Sequence, residues 1–194
     1  MNLVIFDLET TGLSPSRDSI IQIAATKLTV GSWEQSDLFS TFVRTQKQIP
    51  SFIRNLTNIT DDQLRSAPTP EEALISFSRY VGDDTTLVAH YGPQFDMRFV
   101  RESCARHGIA TRRASCIDSR TFSKRIWGGR GGHNLDTIAS RLQLDVSKFQ
   151  RHDARGDVQL LAEAVRLMWD RAASANSAGP ILPIEGVLPL IGCP

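Results

Sequence analysis

Short apolar runs alternate with segments of helical periodicity along the whole chain. The apolar runs, bounded by Gly, Pro and other turn residues, predict β-strands at residues 3–9, 20–29, 37–44, 87–90 and 115–118. Apolar residues that recur at helical spacing predict helices at residues 50–55, 70–81, 95–107, 119–126, 134–142 and 157–171. Gly31 and Ser32 indicate a hairpin between the second and third strands.

This order of elements predicts the fold class. Three successive strands, followed by strands that alternate with helices, are typical of an α/β fold with a mixed β-sheet and helices packed on the sheet. The 194 residues and the hydrophobic content of 41% suit one domain with a substantial core. We place this domain at residues 1–171.

The composition changes after the last predicted helix. Residues 172–179 are small and polar, whereas residues 180–194 hold four prolines among apolar residues. Proline interrupts helices and weakens strands, so no regular element is predicted here. We assign residues 172–194 to an apolar C-terminal tail or linker that packs back on the domain, binds another protein subunit, or belongs to a linker.

Charge and cysteine content exclude several classes of protein. The net charge of +1 argues against a protein that coats nucleic acid by bulk electrostatics. No apolar run approaches the ~20 residues that span a bilayer, and the N-terminus lacks the basic start of a secretory signal. Cys104, Cys116 and Cys193 lack metal-binding spacing and are expected to be reduced thiols. We therefore expect a cytoplasmic protein without a membrane partner.

The first strand ends in two acidic residues. Side chains alternate between the faces of a strand, so Asp7 and Glu9 project together while Leu8 points to the other face. Two adjacent carboxylates repel each other and are costly to bury unless a cation lies between them. The pair therefore indicates a divalent metal ion, although Asp-x-Glu by itself is also common at solvated strand ends.

Two further acids and a histidine fall where they could join this pair. Asp96 lies in the first turn of the helix that follows the strand at 87–90, where it could also simply complement the helix dipole. Asp157 falls on the apolar stripe of the last predicted helix, where a buried charge needs a partner. His152 precedes it in a polar loop, a place where most histidines are merely solvated.

Three segments, taken in order, resemble the exonuclease motifs of the DEDDh 3′–5′ exonucleases. This DnaQ-like group includes proofreading subunits of bacterial DNA polymerases. The matching segments are residues 6–13, 90–99 and 152–157, and the resemblance covers about residues 1–170. Each motif is weak alone, but the order and spacing together are specific. The resemblance implies a ribonuclease-H-like fold and release of 5′-monophosphates from the 3′ end of a nucleic acid.

The resemblance also suggests a role for each candidate residue. Oxygen ligands without a Cys or His cluster favour Mg²⁺ or Mn²⁺, and we expect two such ions. Asp7 is assigned to both ions, Glu9 and Asp157 to the ion that orients the attacking water, and Asp96 to the other ion. His152 is assigned as the general base, because imidazole accepts a proton near neutral pH.

The segment after the metal strand is assigned to the substrate. By resemblance, the backbone N–H groups of Thr10, Thr11, Gly12 and Leu13 hold the 3′ end, and the Leu13 side chain wedges against the terminal base. The chain departs from the family's pattern in two places. It has His90-Tyr91 where many members have His-Asn, and residues 57–58 are Thr-Asn where many have His-Gly. These differences concern substrate preference and touch no predicted metal ligand.

A run of basic residues leaves two interpretations open. Residues 112–130 hold six cations and a single acid, Asp118. The cations are Arg112, Arg113, Arg120, Lys124, Arg125 and Arg130. Such a run is either a solvated face or a track for the phosphate backbone, which would position a strand without specifying its sequence.

The sequence therefore predicts a metal-dependent 3′–5′ exonuclease, with single-stranded DNA as the preferred substrate. An RNA-trimming exoribonuclease of the same fold is the alternative, because discrimination depends on contacts to the 2′-OH. A nucleic-acid-binding module without catalysis and an enzyme acting on small phosphoesters are further alternatives. Clustered acids argue against a mere binder, since they would repel a polyanion.

Overall fold

A mixed six-stranded β-sheet forms the centre of the molecule. The computed structural model describes residues 1–36, 38–174 and 184–190. The strands are β1 (Asn2–Thr10), β2 (Ile20–Thr29), β3 (Phe39–Phe42), β4 (Thr85–Ala89), β5 (Thr111–Asp118) and β6 (Ile184–Pro189). Their order in the sheet is β3-β2-β1-β4-β5-β6. The neighbours of β1 differ in direction, because β2 is antiparallel to it and β4 is parallel.

Helices cover both faces of this sheet. They are α1 (Ser51–Thr57), α2 (Asp61–Arg65), α3 (Pro70–Val81), α4 (Asp96–Arg106), α5 (Ser119–Trp127), α6 (Leu135–Arg141) and α7 (Ala154–Ser174). On β1, Leu3 and Ile5 pack against α5, α6 and α7. The alternate residues Val4, Phe6 and Leu8 pack against α3 and α4. Because side chains alternate between the two faces of a strand, Asp7 and Glu9 lie on the same face as Leu3 and Ile5, which α7 covers.

The two central parallel strands separate before they end. The β1–β4 pairing runs only from Asn2–Thr85 to Ile5–Val88, whereas β1 pairs with β2 along its whole length. Residues 6–10 of β1 therefore have a single strand neighbour. The separation creates a cleft at the carboxyl ends of the parallel strands, which is where open α/β sheets bind ligands.

The predicted fold class and order of elements are confirmed, with differences in extent. The strand predicted at 37–44 is shorter, and its first residue lies outside the described part of the chain. The strand predicted at 115–118 begins earlier, at Thr111. The last helix begins at Ala154 and ends at Ser174 instead of spanning 157–171. The sequence patterns did not predict α2 or β6.

The strand β6 comes from the segment assigned to a tail. It pairs antiparallel with β5 from Ile184–Cys116 to Thr111–Pro189, so this part of the segment packs back on the domain. The hydroxyl of Ser78 on α3 donates a hydrogen bond of 2.7 Å to the carbonyl of Pro189. The predicted boundary after residue 171 falls within α7, while residues 175–183 and 191–194 lie outside the described part of the chain.

We expect β6 to contribute measurably to stability. Leu188 is buried in the cluster formed with α3 and α4, and truncation of a buried Leu typically costs about 2–5 kcal/mol. Leu188→Ala should therefore lower the free energy of unfolding in denaturant titrations by an amount in that range. The control is Leu190→Ala, at a site that is 50% exposed. Equal unfolding midpoints for the two variants would contradict a structural role for β6.

Within the described residues, no helix is long and apolar enough to cross a membrane.

Candidate active site

Three carboxylates converge at the carboxyl end of β1, on the face that α7 covers. One oxygen from each of Asp7, Glu9 and Asp157 lies within 4.8 Å of the other two. The strand supplies the first two acids through its alternation, and the first turn of α7 supplies the third. All three are partly buried, so water solvates their charges incompletely. An all-oxygen set in this arrangement suits a hard divalent cation.

The position of Asp157 depends on a close contact between Gly156, at the start of α7, and the backbone of Gln150. A Cβ atom added at Gly156 would lie 2.0 Å from the carbonyl oxygen of Gln150, so the loop can fold against the helix only because residue 156 lacks a side chain. The amide of Asp157 donates to the carbonyl of Asp153, which continues the helix back to the loop. Gly156 thus sets the direction in which Asp157 enters the site.

A buried polar network ties the same loop to the sheet. Gln22 on β2 is 1% exposed. Its side-chain amide donates to Asp153 at 3.1 Å, and its carbonyl accepts from the amide of Ala154 at 3.2 Å. Asp153 also accepts from the backbone and guanidinium of Arg155. The sequence analysis missed Gln22 and Asp153, although a lone Gln inside an apolar strand is a recognisable signal, since buried polar groups need partners.

Asp96 approaches the cluster from the other face of the sheet. It is the first residue of α4, follows a tight turn at residues 91–95, and is only 2% exposed. It is outside the group of three converging carboxylates. Burial raises the pKa of Asp96 to about 8, and Glu9 contributes to the increase, while hydrogen bonds from its own backbone and that of Leu8 oppose it. The sequence prediction that Asp96 lies in the first turn of the helix after the strand at 87–90 is confirmed.

The cluster is electrostatically costly in the absence of a metal. Burial raises the pKa of Asp7 well above its ordinary value, and the charges of Asp96 and Glu9 raise it further. Burial also raises the pKa of Glu9 to about 7, with Asp153 adding to the effect. The positive charge of Arg151 opposes both shifts. A bound cation would relieve the repulsion of all these acids, so the residues present fit a divalent metal.

Arg151 is the cation that the structure places against this cluster. Its guanidinium forms ion pairs with Asp157 and with Asp136, the latter at 2.8 Å. Its side chain is 23% exposed, and that of Asp157 is 13% exposed. Arg151 lies directly before His152, so the same loop carries the counter-charge and the predicted base.

His152 lies at the mouth of the site and is exposed to solvent. Its backbone φ of 60° is in the left-handed region, which is uncommon for residues other than glycine, although Asn, Asp and His adopt it more often than the rest. Its backbone amide donates a hydrogen bond of 3.2 Å to the Asp157 carboxylate. The geometry therefore places His152 next to a predicted ligand, and its role as a base stays a prediction.

Hydrogen bonds within the turn after β1, and from this turn to Ser19, satisfy part of its main chain. The amide of Thr11 already donates to the carbonyl of Ser19, and the Thr10 hydroxyl donates to the carbonyl of Gly12 at 2.6 Å. Among the described residues, the amides of Gly12 and Leu13 have no acceptor. The Leu13 side chain is 84% exposed. The assignment of Thr10, Thr11, Gly12 and Leu13 to the substrate stays a prediction.

The basic run does not form one continuous surface. Arg112 and Arg113 lie at the amino end of β5, where they pair with Asp83 and Glu185. The acidic cluster is at the opposite end of the sheet, about 20 Å away at ~3.3 Å per strand residue. Arg120 lies in the first turn of α5, just after the carboxyl end of β5.

We expect the metal-free protein to lose stability as pH rises. Glu9 and Asp96 titrate near pH 7 and 8 in the folded state, above their ordinary values. Between about pH 4 and pH 8 the folded state therefore binds more protons than the unfolded state, and the free energy of unfolding falls with rising pH. Melting temperatures measured in EDTA should show this trend, and added Mg²⁺ or Mn²⁺ should stabilise most at the upper end of the range.

The isosteric variant Glu9→Gln provides the comparison for this pH dependence. It removes one of the titrating groups and should flatten the fall in melting temperature between about pH 5 and pH 8. A metal-free wild type whose melting temperature has the same slope as Glu9→Gln would contradict the assignment.

The fold and the acidic cleft together define the class of ribonuclease-H-like nucleases, and comparison with known proteins narrows this to one family. The family model described as "Exonuclease" (RNase_T) matches residues 4–165. The chain is 35% identical over 167 residues to the PolC-type DNA polymerase III of Staphylococcus haemolyticus, and the match covers 85% of the chain. It spans only 11% of that polymerase's length.

Two solved structures show the same fold. The nuclease domain of 3'hExo, a DEDDh family member bound to rAMP, aligns with a TM-score of 0.76 at 20% identity, covering 91% of this chain and 93% of that domain. Exonuclease I of E. coli in complex with a dT13 oligonucleotide aligns with a TM-score of 0.72 at 16% identity, covering 90% of this chain and 42% of that enzyme. The chain therefore belongs to the exonuclease family that this model describes, and the fold that its DEDDh-like motifs predicted is confirmed.

Proposed function

We propose that this chain is a metal-dependent 3′–5′ exonuclease that acts on single-stranded DNA and releases 5′-monophosphates. The observation that carries the proposal is the convergence of Asp7, Glu9 and Asp157 within 4.8 Å in a partly buried cleft. A structural protein gains nothing from this arrangement, because the buried acids repel one another. A phosphodiester hydrolase requires it to hold cations against a polyanionic substrate.

The residues fit two Mg²⁺ or Mn²⁺ ions, with Asp7, Glu9, Asp96 and Asp157 as the holding groups. When bound, such ions activate a water molecule and stabilise the leaving oxygen of a phosphodiester. Asp96 is buried and lies outside the group formed by the other three carboxylates. This separation supports a second ion position.

The remaining residues bind the substrate and transfer the proton. The exposed imidazole of His152 accepts the proton of the attacking water, since its loop is anchored beside Asp157. The amides of Gly12 and Leu13 bind the 3′-terminal nucleotide, and the exposed Leu13 side chain packs against its base. The turn that carries them is held by Asp18, whose carboxylate accepts from the Ser14 amide at 2.8 Å.

Similar proteins that act on DNA support a preference for DNA, and a similar protein that recognises RNA supports the alternative. The curated relatives are DNA polymerases, and E. coli Exonuclease I binds a dT13 oligonucleotide. However, a structurally similar 3′-exonuclease recognises a histone mRNA stem-loop, so the fold itself serves both nucleic acids. A cytoplasmic location and a protein partner that binds the C-terminal segment remain predictions from the sequence.

Digestion of matched oligonucleotides tests the proposal. Single-stranded DNA, duplex DNA and single-stranded RNA of one sequence, labelled at the 5′ end, should be incubated with Mg²⁺, with Mn²⁺ and with EDTA. The proposal expects a ladder shortened from the 3′ end, fastest on single-stranded DNA and absent in EDTA. Faster digestion of RNA would favour the exoribonuclease alternative, and metal-dependent binding without cleavage would refute catalysis.

A further inference from the structure

An exposed aromatic side chain lies beside the acidic cleft, at a position that the metal chemistry does not use. Tyr91 lies two residues after the end of β4 and five residues before Asp96, and it is 43% exposed. The guanidinium of Arg120 stacks on its ring, with the guanidinium carbon 4.5 Å from the ring centroid. The two residues come from the carboxyl ends of the adjacent parallel strands β4 and β5.

The backbone under this pair is held in place by a buried carboxylate. Asp118 is 5% exposed and accepts hydrogen bonds of 2.9 Å from the amides of both Tyr91 and Arg120. Asp118 ends β5 and pairs with Ala89 at the end of β4, so the arrangement lies at the carboxyl ends of the parallel strands, the same end of the sheet as Asp7 and Glu9. One carboxylate therefore holds the backbone of both residues at this end of the sheet.

The conformation of Tyr91 is unfavourable for a tyrosine. Its φ of 64° is in the left-handed region, where Asn is enriched and a bulky side chain is an outlier. In addition, Nε of Arg120 is buried without a hydrogen-bond partner among the described residues. Backbone strain and an unsatisfied cationic donor are features that cluster at ligand sites.

We propose that Tyr91 and Arg120 form a nucleobase-binding subsite, in which a base of the strand upstream of the cleaved nucleotide stacks on the tyrosine ring. Every base has a π-face, so such a platform holds single strands without selecting their sequence. The guanidinium covers one side of the ring and supplies positive charge for an adjoining phosphate. The inference rests on the proposed function, because it requires a single strand in the cleft.

Abasic substitution combined with mutation tests the subsite. Binding of 5′-fluorescein single-stranded DNA is measured by anisotropy in EDTA, for the intact strand and for strands with one abasic residue at each of the first five 3′ positions. Wild type should lose affinity when the stacked base is absent. Tyr91→Asn should weaken binding of the intact strand about 5- to 100-fold, the range for loss of one stacked base. In Tyr91→Asn the abasic residue at that position should cause no further loss.

Matched variants separate stacking from charge and from folding. Tyr91→Phe keeps the ring and should bind like wild type, whereas Tyr91→Asn relieves the backbone strain and should fold at least as well. Arg113→Gln removes one exposed positive charge at the far end of β5 and should leave affinity unchanged. If Tyr91→Asn binds as tightly as wild type, or if every abasic residue weakens both proteins equally, the subsite is refuted. Failure of wild type to bind or cleave any oligonucleotide would instead refute the proposed function.

Discussion

Replacing Asp7 with Asn is expected to abolish nuclease activity while the protein stays folded. Asp7 lies among three other acids and has its pKa raised chiefly by burial and by Asp96. The isosteric amide removes one repelling charge, so the metal-free variant should melt at a higher temperature than wild type. The same change removes a central metal ligand, so the stabilisation by Mg²⁺ or Mn²⁺ should shrink. Asp157→Asn should also remove activity, because Asp157 completes the group of three carboxylates.

Thermal unfolding with and without metal, together with oligonucleotide digestion, measures both effects. The matched control is Asp170→Asn, on the same helix as Asp157 but in an exposed pair with Arg166 near its end. This control should keep full activity and the full metal-induced shift. A folded Asp7→Asn protein that digests single strands at the wild-type rate would refute the metal assignment.

His152→Ala is expected to slow turnover by about 10²–10⁴-fold while metal binding persists. This range is usual for the loss of a positioned general base, and Mg²⁺ draws its ligands from oxygen atoms instead of imidazole. The control His107→Ala removes an exposed histidine at the end of α4. Calorimetry that shows lost metal binding in His152→Ala, or kinetics that show unchanged turnover, would reassign His152 to a structural role.

The placement of Asp7, Glu9 and Asp157 could be predicted from the sequence because it depends on short-range patterns. The alternation along residues 3–9 determines that Asp7 and Glu9 share a face, and the helical stripe of α7 determines that Asp157 faces the sheet. The order of strands and helices then brings their carboxyl ends together. These steps need only the period of each element and the rules of connection.

The features that the sequence did not predict depend on contacts between distant residues. Gln22 and Asp153 are 131 positions apart, and neither residue alone indicates that they bond. The pairing of β6 with β5 likewise joins residues that are about 70 positions apart, across a segment whose prolines argue against a strand. Proline is tolerated there because β6 lies at the edge of the sheet. The ion pair between Arg151 and Asp157 also follows from the fold of a loop, which no periodicity describes.

The separation of β1 from β4 has a consequence for spectroscopy. Beyond Ile5, β1 has no partner on the β4 side, and a hydrogen bond from the Leu8 main chain instead opposes the increase that burial causes in the pKa of the Asp7 and Asp96 carboxyls. The Leu8 amide resonance should therefore shift when either carboxyl loses its proton or gains a cation. Its solvent-exchange rate should change as well, while the amides of Leu3 and Ile5, between two strands, stay protected. One amide in a ¹⁵N spectrum would thus report the occupancy of the cleft without a substrate or a labelled metal.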